Sequence, residues 1–171
     1  MLTVRRLYPD EDRELLAIAH GWDTEPSRPR WYREMDATYG AGDFDAYIAG
    51  ARGVGRIDVG MFDDGELRAV FVFSEQEPHV VEVHLMVKRG TLVDDLVFVA
   101  NQLKPQLFEL GVREIVAYPA RKNYAIRQLC RNIGFVEDGC VMIKGVYRGR
   151  VIEWLRHSLL NEASVELTKV A

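Results

Sequence analysis

The sequence predicts an α/β domain built on a mixed, mostly antiparallel sheet of about six to seven strands, with helices on both faces. Val80–Val87 is an apolar run typical of a strand buried on both faces. Leucines with the helical period follow it at once, from Leu92 to Leu110. Asp64-Gly65 marks a tight hairpin turn between two alternating strands. Hairpins in the middle of the chain and helical crossovers near its end together give a mixed sheet.

Composition describes a single domain. The chain has 171 residues, of which 48% are hydrophobic and 28% charged, and we expect a domain over residues 1–160 with a polar tail over 161–171. A net charge of −4 argues against nucleic acid as a partner. No apolar run reaches the roughly 18 residues needed to cross a membrane. Cys130 and Cys140 match no metal spacing and favour a reducing, cytoplasmic location, so we expect no metal.

The first third of the chain gives the weaker signals. A helix is predicted to open at Pro9-Asp10 and to stop at His20-Gly21, followed by a loop over Trp22–Arg30. A second helix is predicted over Trp31–Tyr39. Residues 43–55 fit either one helical turn or an edge strand.

The later elements have clearer boundaries. Gly111 is the expected C-cap of the long helix, and Pro105 is expected to kink it or split its last turns. A further helix is predicted over Asn123–Ile133, ended by Gly134-Phe135. Strands are predicted at Leu2–Arg5, Ile57–Met61, Leu67–Phe73, Val80–Val87, Ile115–Tyr118, Val136–Val146 and Arg150–Leu155.

The junction Arg89-Gly90-Thr91 joins the apolar strand to the long helix. A strand, a glycine turn and a helix N-terminus can bind an anion, and they can equally form an ordinary connection. Thr91 is placed to be the N-cap, with Asp94 at the reciprocal position three residues on. Asp94 and Asp95 already complement the positive end of the helix and would repel a phosphate.

The order of elements resembles that of the GNAT superfamily of acyl-CoA-dependent N-acyltransferases, over roughly residues 2–158. The segment 123–135, NYAIRQLCRNIGF, is similar to the family's helix that begins with Asn and ends with Gly-Phe. The continuation resembles the closing hairpin of ribosomal-protein and phosphinothricin acetyltransferases. Arg89-Gly90 stands at the position of the family's coenzyme loop. Leu92 replaces the loop's second glycine, and Cys130 replaces a tyrosine that protonates the leaving thiolate.

The resemblance implies transfer of an acyl group, with acetyl expected, from CoA to a primary amine by direct attack. Strand alternation places Glu82 and His84 on one face of the apolar strand, and Glu82 is the first choice for the base and His84 the second. Cys130 would stand in for the proton donor. The coenzyme contacts implied by the family are Leu85, Met86, Val87, Arg89, Gly90, Thr91, Asn123 and Arg127.

Structural readings of the same residues stay open. Glu82 and His84 can form a buried pair or lie on a more open face of the sheet, Cys130 can be a small core residue, and Arg127 with Arg131 can form a solvated basic face. The rival function is a GNAT-like chain without catalysis that serves as a binding or structural subunit, such as a virion-associated phage protein. In that case the tail over residues 161–171 would hold the chain in a homo-oligomer or another assembly.

Overall fold

The computed structural model describes residues 1–24, 44–147 and 150–161. Within these residues all the strands belong to one seven-stranded sheet in the order β1-β2-β3-β4-β5-β7-β6. The strands are β1 Leu2–Leu7, β2 Arg56–Asp63, β3 Glu66–Glu77, β4 Val80–Val87, β5 Glu114–Ala117, β6 Val136–Tyr147 and β7 Arg150–Leu160. The described helices are α1 Arg13–Thr24, α2 Phe44–Ala51, α3 Val93–Glu109 and α4 Tyr124–Ile133.

Strand directions confirm the predicted fold class. The pairs β1–β2, β2–β3 and β5–β7 are antiparallel, whereas β4 and β5 run parallel. The sheet is therefore mixed and mostly antiparallel, as the hairpin and crossover signals indicated. Among the described helices, none has the length and hydropathy that a bilayer-spanning segment requires.

The chain forms two compact units, and β4 passes from one to the other after Val83. The N-terminal unit comprises Met1–Ser74, His84–Leu92 and Tyr147–Arg150, and the C-terminal unit comprises Glu75–Val83, Val93–Val146 and Val151–Ala171.

The N-terminal unit buries a core of side chains from α1, α2 and the strands. Its buried members are Leu7, Leu16, Ala19, Trp22, Ile48, Phe62, Leu67, Val70, Val72 and Met86. The hairpin between β2 and β3 turns at Asp64 and Gly65, whose φ angles are 48° and 81°. Positive φ at both central positions is what a type I′ turn needs, so the predicted hairpin is confirmed.

One prediction about the first helices needs correction. The stop at His20-Gly21 is wrong, because α1 continues to Thr24. Glycine in a helix costs about 1 kcal/mol relative to alanine, and burying a large side chain such as Trp22 outweighs that cost. The rest of the predicted loop and the helix at Trp31–Tyr39 lie outside the described residues. Residues 43–55, left open between helix and strand, contain the helix α2.

The prediction that β4 is buried on both faces is also wrong. Only Val81 and Met86 are buried, and His84 is exposed. The neighbouring strand β5 has four residues, and its register with β4 covers Val80–Glu82. A strand is buried on both faces only where other elements pack over both faces of the sheet, and an apolar run does not show how far that packing extends.

In the C-terminal unit, α3 is one helix that contains Pro105. Of the two predicted effects of this proline, the split of the last turns is therefore wrong, and the kink stays a prediction. Leu103 and Leu107 lie on either side of Pro105 and are both buried, so tertiary packing holds the last turns in place.

The turn between β3 and β4 ties that helix to the sheet. Gly111 follows α3 with a φ of 91°, which confirms the predicted C-cap. Its carbonyl oxygen lies 3.0 Å from Nδ1 of His79. The carbonyl of His79 accepts from the backbone N–H groups of Arg113 at 2.8 Å and Glu114 at 3.2 Å. His79, expected to be a plain surface residue, is exposed and yet connects the start of β4 to the start of β5.

The closing hairpin of β6 and β7 is confirmed and is longer than predicted. β7 reaches Leu160 rather than Leu155, and the backbone N–H of Asn161 donates to the carbonyl of Arg113 at 2.9 Å. Residues 162–171 lie outside the described residues, so the expected role of the tail in assembly stays a prediction.

Asp12 should stabilise the fold far more than Asp10. The Asp12 side chain is 10% exposed and accepts from Arg5 at 2.6 and 3.0 Å and from the Tyr8 N–H at 2.9 Å. Asp12→Ala should lower the free energy of unfolding, measured by urea denaturation, by about 1–3 kcal/mol. Asp10 pairs with Arg52 but its side chain is 72% exposed. Asp10→Ala should therefore change the free energy of unfolding by less than about 0.5 kcal/mol. Equal losses in the two variants would contradict this account.

The hydrogen bonds to Asp12 also determine the direction in which the stability of the fold changes with pH. The hydrogen bonds from Arg5 hold the pKa of Asp12 below its ordinary 3.8. A lowered pKa in the folded state stabilises the protein above the ordinary value, and this stabilisation is lost as the pH falls through the folded-state pKa. The difference in stability between wild type and Asp12→Ala should therefore shrink below about pH 4.

Candidate functional site

The second half of β4 and the turn after it carry most of the predicted site residues. Glu82 is half-buried and stands opposite Val116 in the register with β5. His84 is exposed, and Leu85 and Val87 are half-buried. Strand alternation keeps Glu82 and His84 on one face, as predicted. They do not form a fully buried Glu–His pair, so that structural reading is excluded for this strand.

The turn at Arg89-Gly90-Thr91 is built around one glycine. Gly90 has a φ of 88°, in the left-handed region, and a Cβ added to it would meet no atom within 4 Å. Glycine is therefore required there by the backbone conformation and not by lack of space. The Thr91 N–H donates to the carbonyl of Lys88 at 3.2 Å, and the Lys88 N–H donates to the carbonyl of Arg68 at 2.9 Å. These hydrogen bonds fix the turn against β3.

The predicted N-cap needs correction. α3 begins at Val93, so Leu92 and not Thr91 immediately precedes it. The hydroxyl of Thr91 lies 2.8 Å from the Lys88 carbonyl and 3.2 Å from the Arg68 carbonyl, and it serves the turn instead of the helix. Carbonyl oxygens of the neighbouring hairpin compete for a hydroxyl, and sequence spacing does not reveal them. Asp94 and Asp95 remain in the first turn of α3 as expected.

Leu92, which the resemblance places where the GNAT family has a second glycine, is exposed to 65%. Val93, the first residue of α3, is exposed to 50%. The turn therefore presents apolar side chains to solvent next to the glycine that an anion would approach. An exposed leucine buries little surface, so packing of the described chain does not account for its place in the turn.

Asn123 begins α4 as predicted. Its Oδ1 accepts from the Ile126 N–H at 3.2 Å, the geometry of an N-cap, and Gly134 ends the helix with a φ of 102°. The side-chain oxygen of Asn123 is thus engaged by the helix itself. The amide nitrogen is the group left to contact a ligand.

The arginines near α4 pair with acids of the closing hairpin. Arg127 donates from Nη2 to Glu137 at 2.8 Å and from Nη1 to the carbonyl of Arg121 at 3.2 Å. Arg121 in turn pairs with Glu153 at 2.5 Å. Because the side chain of Arg127 is only 15% exposed, it does not belong to a solvated basic face. The hydrogen bond from Arg127 holds the pKa of Glu137 below its ordinary value.

Cys130 is a buried residue on the inner side of α4. It is 6% exposed, and burial raises the pKa of its thiol to about 11. A free thiol titrates near 8.5, so Cys130 is protonated at neutral pH and is a weak acid. These properties fit a small core residue better than a proton donor.

In the C-terminal unit, the sheet separates Glu82 from the predicted site residues of α4. His157 of β7 stands opposite Ala117 of β5 and lies beside Glu137, on the face that α4 covers. The adjacent Val116 points to the other face, and Glu82 shares its face because the two are register partners. The predicted base and the residues of α4 therefore lie on opposite faces of this part of the sheet.

Sequence reasoning missed His157 and Glu137. His157 is fully buried between Leu155 and Leu159 on one face of β7, where alternation predicts an apolar residue. A histidine at a position where alternation predicts an apolar residue is the signal by which the sequence could have identified His157. Within the described residues, His, Cys, Asp and Glu side chains form no group of three or more that could hold a metal ion.

The two cysteines should react at very different rates. Cys140 is exposed, whereas Cys130 is buried with a raised thiol pKa. Reaction of the folded protein with a maleimide at pH 7.5, followed by intact mass, should show one fast addition. The second addition should require denaturant, and Cys140→Ser should lose only the fast one. Fast labelling of Cys130 in the folded protein would contradict its assignment to the core.

No family model matches the sequence, and no curated protein matches it. Solved structures do match. The spermidine/spermine N-acetyltransferase of Vibrio cholerae gives a TM-score of 0.69 at 17% identity and covers 98% of this chain and 99% of its own. A Salmonella typhimurium protein described as an acetyltransferase was solved with its cofactor acetyl-CoA. It gives a TM-score of 0.70 at 17% identity, and the match covers 94% of this chain and 95% of its own. A GNAT-family acetyltransferase of Streptococcus pneumoniae gives a TM-score of 0.69 at 16% identity, and the match covers 94% of this chain and 100% of its own. The chain therefore has the fold of the GNAT acetyltransferases.

Proposed function

We propose that the protein is an acyl-CoA-dependent N-acyltransferase that transfers an acyl group, with acetyl expected, directly to a primary amine. The observation that carries this proposal is the left-handed turn at Gly90, preceded by Arg89, between β4 and α3 of a GNAT fold. A glycine turn leading into a helix N-terminus exposes backbone N–H groups suited to a pyrophosphate. The match to a structure solved with acetyl-CoA supports the same co-substrate.

In this proposal β4 and its turn bind the thioester end of the coenzyme. Backbone N–H groups of Leu85, Met86 and Val87 would polarise the thioester carbonyl, and Arg89, Gly90 and Thr91 would contact the pyrophosphate. The contacts of Asn123 and Arg127 that the resemblance implies stay predictions, and Arg127 already has Glu137 as a partner.

The chemistry is one acyl transfer. The amine nitrogen attacks the thioester carbon, the N–C bond forms and the C–S bond breaks, leaving the coenzyme as a thiolate. Glu82, half-buried on β4, would take the proton of the amine, with His84 as the second candidate. Cys130 is poorly suited to protonate the thiolate, because its raised pKa makes the transfer uphill. Solvent, Tyr118 or Tyr124 would supply that proton.

Leu92 and Asp94 favour a second candidate function. An exposed leucine occupies the place of a glycine in the turn, and two carboxylates lie in the first turn of α3. Both features oppose a phosphate, by limiting backbone approach and by charge repulsion. They fit a GNAT-fold chain that binds a partner and no longer transfers acyl groups.

Acetyl-CoA binding measured by calorimetry separates the two candidates. The transferase should bind with a micromolar dissociation constant, and Gly90→Glu should abolish the signal by placing strain and negative charge in the turn. Gly90→Gln is the matched control, because it introduces a side chain of the same size and the same backbone strain as Gly90→Glu but no negative charge. Gly65→Glu places the same residue at another exposed left-handed glycine, with a φ of 81°, and should bind like wild type. No heat up to millimolar acetyl-CoA would exclude the transferase.

Leu92→Gly should strengthen binding. The substitution restores the second glycine of the turn and removes a side chain that is 65% exposed, so it should cost little stability. We expect a lower dissociation constant for acetyl-CoA in the same calorimetric assay. Weaker binding would show that Leu92 contacts the coenzyme or shapes the turn.

The identity of the base follows from paired substitutions on β4. Glu82→Gln should lower the rate of coenzyme thiol release by about 10²–10⁴-fold while leaving the acetyl-CoA dissociation constant unchanged. His84→Gln should have a much smaller effect. The acceptors would be a panel of primary amines that includes spermidine, the substrate named for the Vibrio cholerae relative. The reverse order of effects would make His84 the base.

A further inference from the structure

Two cations of the N-terminal unit share one carboxylate beside the turn at Gly90. Nζ of Lys88, the residue that follows β4, donates to Oε1 of Glu66 on β3. Nη2 of Arg68, also on β3, lies 2.8 Å from Oε2 of the same carboxylate. All three side chains are partly exposed, Lys88 to 35%, Glu66 to 49% and Arg68 to 32%. We refer to Glu66, Arg68 and Lys88 as the basic cluster.

Backbone hydrogen bonds fasten the basic cluster to the turn. The carbonyl of Arg68 accepts from the Lys88 N–H at 2.9 Å and lies 3.2 Å from the hydroxyl of Thr91. The Thr91 N–H donates to the carbonyl of Lys88, which closes a β-turn whose end Cα atoms lie within about 7 Å. The positive φ of Gly90 at the third position matches a type II turn. The cluster and the turn all belong to the N-terminal unit, so their arrangement is fixed within that unit.

The basic cluster has an excess of positive charge. The hydrogen bond from Lys88 holds the pKa of Glu66 below its ordinary 4.5, so this carboxylate is ionised at neutral pH. One negative charge then faces two positive charges, which leaves a net charge of +1. Arg89 in the turn is exposed and adds another positive charge. The carboxylate of Asp64 at the neighbouring hairpin turn is paired with the amino group of Met1.

A purely structural ion pair does not account for the second cation. Lys88 and Glu66 by themselves would tie the end of β4 to β3. Arg68 adds a like charge next to Lys88, and like charges on neighbouring strands destabilise a sheet. An anion with several oxygens can bridge an ammonium and a guanidinium, and phosphate is the anion that these two groups most often bind in proteins.

We propose that the basic cluster is a phosphate subsite for acyl-CoA, in which Lys88 and Arg68 bind a phosphate group of the coenzyme and Glu66 competes with it as an internal counter-ion. The inference rests on the proposed function, because the coenzyme is its ligand. Besides its pyrophosphate, the coenzyme carries a phosphate on the 3′ position of its ribose. The two cations therefore have two possible partners, an oxygen of the pyrophosphate and the 3′-phosphate.

Calorimetric titration with CoA tests the subsite through changes of opposite sign. Lys88→Met keeps the aliphatic stem without the charge and should weaken binding by about threefold to fivefold, whereas Lys88→Arg should retain most of the affinity. Glu66→Gln removes the competing charge and should strengthen binding by a similar factor. Asp10→Asn is the matched control, since it also removes one carboxylate from an exposed ion pair, the one with Arg52. It should bind like wild type.

The outcomes that would overturn the inference are distinct from failure of the proposed function. Unchanged dissociation constants in Lys88→Met and Glu66→Gln would overturn it, given that wild type binds CoA. Weaker binding by Glu66→Gln would also overturn it, because a carboxylate that only orders the two cations would be needed for binding. No binding by wild type or any variant would overturn the proposed function.

Titration with 3′-dephospho-CoA identifies the phosphate. A loss of affinity in Lys88→Met that appears with CoA but not with 3′-dephospho-CoA would assign the subsite to the 3′-phosphate. The same loss with both ligands would assign it to the pyrophosphate, and either result supports the subsite. The difference between wild type and Lys88→Met should also shrink from about 0.05 to about 0.5 M NaCl, because salt screens exposed charges. A difference that does not depend on salt would contradict a contact between charges.

Discussion

The parallel pairing of β4 with β5 begins at His79, which joins the starts of both strands. Its carbonyl accepts hydrogen bonds from the backbone N–H groups of Arg113 and Glu114. Nδ1 of its ring lies 3.0 Å from the carbonyl oxygen of Gly111, just after α3. A parallel pair needs a crossover between its strands, and α3 provides it. The resulting register covers Val80–Glu82 and places Glu82 opposite Val116 at its end. The position of the proposed base is therefore set by a contact made at the other end of the pairing, three residues away along β4.

Electrostatic pairing organises the C-terminal unit around this register. Arg121 and Arg127, which follow β5, pair with Glu153 and Glu137 of the closing hairpin. On the opposite face of the sheet, Arg156 pairs with Glu114 and Asp138. The acids of the hairpin thus neutralise much of the positive charge that the sequence places around α4.

Local signals predicted much of this structure, and long-range contacts account for what they missed. Asp64-Gly65, Gly111, Gly134 and the Asn123 cap were predictable because each depends on the conformation of a few neighbouring residues. The continuation of α1 through Gly21 depends on where Trp22 packs. The exposure of His84 depends on what packs over its face of the sheet. The pairing of Arg127 with Glu137 joins a helix to a strand ten residues away and follows no fixed spacing. The site residues that sequence could not place are those whose partners lie on another element.

The turn at Gly90 is the proposed coenzyme site. The most direct measurement is an NMR titration of the isotopically labelled protein with acetyl-CoA, following the backbone amide of every residue. We expect the largest and earliest shifts at the amides of residues 85–91, where the N–H groups would meet the thioester and the pyrophosphate. Shifts confined to other parts of the chain, or none at millimolar acetyl-CoA, would contradict the claim.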